Sequence, residues 1–226
     1  METIANRYSL EIYESCFPLS TDSMALSHFV RLPRNARVLD LGSGCGTLGL
    51  LLCAKDETCR ITGVELDEKA HQCALENIRR NELQKRMISI CGDLRNAELP
   101  SGGFDCCVSN PPYFTGGPAA KLCSARRDDC CNTAQLFSAA AKALKYGGDF
   151  FVVHRPERLA ELCACGASLG LEAKRLCLLR HRADGPVALV LLQFRKGAKP
   201  GLVWEELCLH DPDGTPTDAY RQIYHL

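Results

Sequence analysis

This chain carries no net charge, since 27 lysines and arginines balance 27 aspartates and glutamates. A global field that would attract a polyanion is therefore absent, and any grip on nucleic acid has to be local. No apolar run approaches the length of a membrane span. The opening METIANRYSLEIYE mixes charges with short apolar stretches, unlike a secretory leader, so the expectation is a cytoplasmic protein with no membrane partner. Internal repeats and low-complexity tracts are also missing, which excludes solenoids and long disordered tails. Cysteine is abundant, but no two of the 15 cysteines are separated by two residues, so the zinc-finger and thioredoxin spacings are absent. Most cysteines sit inside apolar runs, such as Cys53 in GLLLCA, Cys106 and Cys107 in FDCCVS, and Cys177 in RLCLL. There they serve as small hydrophobes in a reducing compartment, and no metal is expected.

What is present suits one ordinary domain: 226 residues, 46% hydrophobic and 24% charged. Short apolar runs alternate with helical patterns. ARVLDL (36 to 41), ITGVEL (61 to 66), MISICGD (87 to 93), FDCCVS (104 to 109) and DFFVVH (149 to 154) read as strands. Helical periodicity follows the first two, recurs over 132 to 145 up to Tyr146-Gly147-Gly148, and returns after Pro156. LEAKRLCLLR and VALVLLQF read as two last strands joined through ADGP. Alternation of strand and helix predicts a mostly parallel α/β sheet with right-handed connections, and the final hairpin makes at least one strand antiparallel. The predicted division is an N-terminal extension over 1–35, with a short helix capped by Ser20, Thr21 or Asp22 and packed on the core, and a main domain over 36–226 that includes the C-terminal tail. Residues 171 to 200 hold seven basic side chains (Lys174, Arg175, Arg180, Arg182, Arg195, Lys196, Lys199) against two acids (Glu172, Asp184), which a local positive face or a solvated surface explains equally well.

Chemistry concentrates after the first strand. Asp40-Leu41-Gly42-Ser43-Gly44-Cys45-Gly46 turns the chain with three glycines at alternate positions, where a ligand can approach the backbone and the next helix aims its N–H groups at it. Glu65 closes the second strand 23 residues beyond Gly42, about where an acid holds a ribose diol in a doubly wound fold. The turn is G-x-G-x-G rather than the dinucleotide G-x-G-x-x-G, and it follows an acid. A carboxylate facing the ligand repels a diphosphate and suits a ligand with an ammonium group, such as S-adenosylmethionine. Asp93 at the third strand end is then placed for the adenine amino group, with Leu94 beside the ring.

A second concentration is VSNPPYFTGG, residues 108 to 117. Two prolines lock their own φ and push Asn110 and Pro111 into extended backbone, which makes a stiff element with carbonyls and few donors. The Asn110 side-chain carbonyl and the Pro111 backbone carbonyl can accept both N–H groups of a planar amine and so free its lone pair. Tyr113 would stack on a base and Phe114 would wall the pocket.

Together VLDLGSGCGTLGL, Glu65, Gly92-Asp93 and the Asn-Pro-Pro-Tyr run resemble the class I S-adenosylmethionine-dependent methyltransferases that act on exocyclic or amide nitrogens. STDSMAL, ARRDDCC (125 to 131), VHRPERLAEL (153 to 162) and HDPDGTPTDAYRQIY (210 to 224) extend the resemblance to bacterial tRNA(Val) adenine-N6-methyltransferases over nearly the whole chain. The resemblance implies a Rossmann-like fold with a seven-stranded, mostly parallel sheet, its last strand antiparallel and helices on both faces. It also implies a tRNA partner and S-adenosyl-L-methionine as cofactor with S-adenosyl-L-homocysteine as product; a monomer is a separate expectation. The implied cofactor set is Thr21, Asp40, Gly42, Ser43, Gly44, Gly46, Glu65, Leu66, Asp93, Leu94 and Asn110. The catalytic set is Asn110, Pro111, Pro112 and Tyr113; Phe114, Arg126, Arg127, His154 and Arg155 face substrate, and Arg158 is a further candidate for phosphate. The rivals are protein glutamine N5-methyltransferases, which carry a helical domain before the glycine turn, ribosomal RNA guanine-N2 and DNA adenine methyltransferases, which carry a second domain or target-recognition region, and a non-catalytic module that keeps the fold.

Overall fold

A computed structural model describes residues 2–13, 16–111 and 132–224. In chain order its elements are β1 (Glu2–Ile4), β2 (Tyr8–Leu10), α1 (Thr21–Phe29), β3 (Arg37–Leu41), α2 (Thr47–Lys55), β4 (Arg60–Glu65), α3 (Glu68–Arg80), β5 (Met87–Cys91), β6 (Phe104–Ser109), α4 (Thr133–Ala143), β7 (Leu144–His154), α5 (Leu159–Ser168), β8 (Leu171–Arg182), β9 (Val187–Lys196), β10 (Val203–His210) and α6 (Asp218–Tyr224). Eight strands form the main sheet in the order β10-β8-β9-β7-β6-β3-β4-β5, and β1 and β2 form a separate hairpin. Only β9 runs antiparallel to its neighbours β7 and β8. All seven expected strands are present, and the antiparallel one is the last of them.

The eighth strand, β10, adds in parallel to β8. Its sequence VWEELCLH hides it, because only Leu209 is fully buried and the acids face solvent or arginine. Arg175 meets Glu205 at 2.6 Å and Arg180 meets Glu206 at 3.7 Å. Arg195 pairs with Asp149 at 2.8 Å, and the Lys196 ammonium donates to the Ala141 and Leu144 carbonyls. Three of the seven basic side chains of residues 171 to 200, Arg175, Arg180 and Arg195, thus pair with acids outside that segment. A second difference lies in β7, which starts at Leu144. Phe104 pairs with Leu144 but Cys106 pairs with Asp149, so the expected helix end around Tyr146-Gly147-Gly148 is instead a bulge within the strand, with Gly147 at φ 80°.

Side chains alternate along the central strands, and this alternation builds a core on each face. On one face Val38, Ile61, Val108 and Phe151 pack with α1, α2, α3 and α6; on the other Leu39, Val64, Phe150 and Leu192 pack with α4 and α5. Phe137 of α4 meets Phe150 and Phe194 edge-on at 5.0 and 5.1 Å. Cys53, Cys106, Cys107 and Cys177 are buried in these cores. Among the described residues no helix is long and apolar enough to cross a membrane, and no group of three or more His, Cys, Asp or Glu is placed to hold a metal.

Asn77 of α3 and Asn81, which caps the end of that helix, fasten the N-terminal segment. Asn81 exchanges bonds with the Ser9 backbone at 2.8 and 2.7 Å. Asn77, fully buried, accepts from Glu11 N–H at 2.9 Å and donates to the carbonyls of Glu11 at 2.8 Å and Cys45 at 3.0 Å. Asn77 therefore ties the start of the chain to the glycine turn. Asn77→Ala strands these buried backbone groups and should lower stability by about 2–4 kcal/mol, read as a lower urea midpoint with unchanged slope.

Candidate active site

β3, β4, β5, β6 and β7 are parallel, so their C-terminal ends share one edge of the sheet. From β3 the order runs outward to β4 and β5 on one side and to β6 and β7 on the other, which opens a crevice between the ends of β3 and β6. Ligands of doubly wound sheets bind at such a switch point.

The glycine turn lines this crevice. Gly42, Gly44 and Gly46 all take left-handed φ, at 75°, 54° and 81°. Gly42 and Ser43 N–H both donate to the Val64 carbonyl at 3.0 and 3.1 Å, which anchors the turn to β4. A Cβ added at Gly46 would lie 2.8 Å from Met87 Cε, so the Met87 side chain would have to shift, whereas one on Gly42 or Gly44 would meet nothing within 4 Å. The turn is therefore packed beneath and open above.

Glu65 straps this arrangement. Its carboxylate accepts from Gly44 N–H and Asp67 N–H, each at 2.8 Å, and Asp67 in turn caps α3 by accepting from Ala70 N–H at 3.0 Å. Asp40 lies buried behind the turn. Burial first, and the neighbouring Glu65 charge second, push its carboxyl up to about 7, against a smaller opposing pull from the Gly49 amide in the first turn of α2. Asp40 Oδ2 and Ser43 Oγ are buried atoms without a hydrogen-bond partner among the described residues. Unpartnered acceptors next to a carboxylate suit a ligand that brings an ammonium group and donors, and they disfavour a diphosphate.

Asp93 lies just past β5, where Gly92 N–H bonds the Glu65 carbonyl at 2.8 Å. Its carboxylate is already engaged by Arg95, whose Nε donates to Oδ1 at 2.9 Å and Oδ2 at 2.7 Å; this bonding holds the carboxyl below its usual range. Arg95 was not anticipated, because a surface arginine two residues on leaves no periodic signal. Leu94 is half-buried, and Leu66 is 49% exposed beside Glu65. Both are apolar surfaces at the strand ends.

Asn110 follows β6, which is pinned beside β3 by a bond from Ser109 Oγ to the Leu41 carbonyl at 2.7 Å. Its side-chain Nδ2 donates to Ser23 Oγ of α1 at 3.0 Å, and Oδ1 has no hydrogen-bond partner among the described residues. Ser23 was also missed by the sequence reading, which singled out Thr21 on the same turn. Thr21 Oγ1 shares a hydrogen bond with Tyr224 OH of α6 at 2.7 Å. Pro111 is half-buried, while Pro112, Tyr113, Phe114, Arg126 and Arg127 lie outside the described residues. His154 ends β7 and is buried. Burial first, then Arg158, pull its pKa down to about 4, and its Nδ1 accepts from Arg155 N–H at 2.8 Å. The ring is therefore uncharged at neutral pH, so any contact with a phosphate would rest on hydrogen bonding alone. Arg158 donates to Thr133 Oγ1 at 3.2 Å and pairs with Glu161 at 2.7 Å, and Arg155 Nη1 reaches the Ala188 carbonyl at 3.5 Å.

The state of Asp40 has a measurable consequence. A carboxyl whose folded pKa exceeds its unfolded value contributes stability that is complete below about 3.8 and is lost as pH rises to about 7. Asp40→Asn should remove that slope, so that between pH 5 and pH 8 the variant gains roughly 2–3 kcal/mol on the parent in urea unfolding. A difference independent of pH would show that Asp40 does not titrate in this way.

Residues 21–162 match the family model of the methyltransferase small domain. A tRNA1(Val) (adenine(37)-N6)-methyltransferase of Tolumonas auensis is 32% identical over 86% of this chain and 83% of its own length. Its counterpart in Aeromonas hydrophila is 30% identical over 91% and 87%. Among solved structures, one described as a predicted O-methyltransferase from Agrobacterium tumefaciens superposes with TM-score 0.76 at 20% identity, covering 90% of this chain and 95% of that one. A methyltransferase from Pyrococcus furiosus gives 0.64 at 22% identity over 84% and 90%. The structural likeness carries the fold, the sequence likeness carries more, and on both the chain belongs to the methyltransferase small-domain family and to the family of the tRNA1(Val) (adenine(37)-N6)-methyltransferases.

Proposed function

We propose that this chain methylates N6 of adenosine 37, the base 3′ of the anticodon, in tRNA1(Val), with S-adenosylmethionine as donor and S-adenosylhomocysteine as product. The observation that carries the reading is the placement of Asn110-Pro111 on the same sheet edge as the glycine turn with its unpartnered acceptors. Asp40, Gly42, Ser43, Gly44, Gly46, Glu65, Leu66, Asp93 and Leu94 are the residues assigned to hold the cofactor, Glu65 through the ribose and Asp40 through the amino-acid end. When bound, S-adenosylmethionine supplies an electrophilic methyl on a sulfonium.

The rest falls to this chain's own groups. An adenine N6 amine is a poor nucleophile because its lone pair is delocalised into the ring. Asn110 Oδ1 and the Pro111 carbonyl accept its two N–H groups, draw the nitrogen toward tetrahedral geometry and favour the positive charge that grows there. The proline ring fixes the backbone acceptor, so little reorganisation remains at the moment of transfer. No strong base is needed, as the methylated amine cation loses its proton to water. His154 is unsuited to that task, since its Nδ1 already accepts a backbone N–H. The base must leave its loop to reach this crevice, as single-stranded bases do when proteins read them. The same reading includes Tyr113 and Phe114 against the purine, Arg126, Arg127, His154 and Arg155 toward the RNA, a monomeric protein and a cytoplasmic location.

Labelled methyl transfer to total tRNA from a strain lacking the gene, followed by nucleoside analysis, should yield N6-methyladenosine; label in release-factor protein instead would defeat the reading. Asn110→Ala should lower kcat by about 100-fold or more while cofactor affinity stays within about threefold. Equal losses in both would remove Asn110 from the transfer step.

A further inference from the structure

We infer that Ser23 is a positioning residue for the transfer, holding the Asn110 side-chain amide in place at the end of β6. The inference rests on the methyl-transfer reading of Asn110 above. An acceptor that is to draw on an amine N–H has to be held in place. In this structure Asn110 Nδ2 donates to Ser23 Oγ at 3.0 Å, and Oδ1 has no hydrogen-bond partner among the described residues.

Ser23 is suited to the task because it cannot drift. It occupies the first turn of α1 and is 7% exposed. Ser20 caps that turn, accepting from Ser23 N–H at 3.4 Å. Thr21 ties it to α6 through Tyr224 at 2.7 Å. At the other end the Lys55 ammonium of α2 gathers the carbonyls of Ser27, His28 and Val30 at 2.8, 2.8 and 2.6 Å. The helix that carries Ser23 is therefore clamped at both ends, which is what a support for a reacting group requires.

Ser23→Ala replaces the hydroxyl with the best helix former and leaves the helix intact. Its kcat for tRNA methylation should fall about tenfold, as for one lost positioning bond, with KM for both substrates within about twofold. In an Asn110→Ala background the same change should produce no further loss, because Ser23 acts through Asn110. A readout independent of turnover is the side-chain NH2 signal pair of Asn110 in 15N-labelled protein, identified by its loss in Asn110→Ala; its exchange with water should accelerate about tenfold or more in Ser23→Ala. Unchanged kcat, equal losses in the two backgrounds or unchanged amide exchange would each overturn the inference. A parent protein that methylates no tRNA would sink the methyl-transfer reading, and the amide exchange would still decide whether Ser23 holds Asn110.

Discussion

The site depends on one carboxylate doing two jobs of position. Glu65 accepts from Gly44 and from Asp67, so the glycine turn after β3 and the capped start of α3 after β4 are held by the same side chain. That strap keeps Glu65 close to Asp40, whose carboxyl is raised first by burial and second by the like charge of Glu65. A fold optimised only for stability would not keep an acid in that place. A site that must receive a cation would, because ligand charge relieves both the burial and the repulsion.

Around this strap the sheet supplies the geometry. Parallel pairing of β3 with β4 and β6 brings the glycine turn and Asn110 to the same edge, though they are far apart in sequence. Helix α1 then packs beside the end of β6, meeting Asn110 through Ser23 and α6 through Thr21. The N-terminal segment is no loose appendage in this arrangement, since Asn77 joins Glu11 to the carbonyl of Cys45 in the glycine turn itself. The glycine turn, Asn110 and the chain start are connected by buried and part-buried polar contacts between residues far apart in sequence.

Much of this was legible in the sequence. Strong apolar runs marked β3, β4, β6, β8 and β9, and the glycines at alternate positions marked a left-handed turn at the end of β3, because burial and left-handed backbone both restrict residue choice locally. The elements that escaped have weak local signals. β1 and β2 are three residues each, and β10 lies at a sheet edge where pairing with β8 and the Arg175–Glu205 contact replace a buried face. The bulge over Leu144 to Gly148 looks like a helix end in sequence because glycines punctuate both. In the site, Ser23 and Arg95 act through contacts made by tertiary packing or by a surface turn, and neither belongs to a pattern that sequence spacing can reveal. Arg175 and Arg180 of β8 pair with Glu205 and Glu206, acids of a later segment that a charge count over residues 171 to 200 leaves out.

The central claim is that the acid at the end of β3 selects a ligand bearing an ammonium group. Calorimetric titration with S-adenosylhomocysteine and with its desamino analogue, each at pH 6 and pH 8, tests it directly. The account predicts tighter binding of the amino compound at pH 8 than at pH 6, and for the desamino compound weaker binding with no gain at the higher pH. Equal affinities for the two compounds, or the same pH dependence in both, would contradict it.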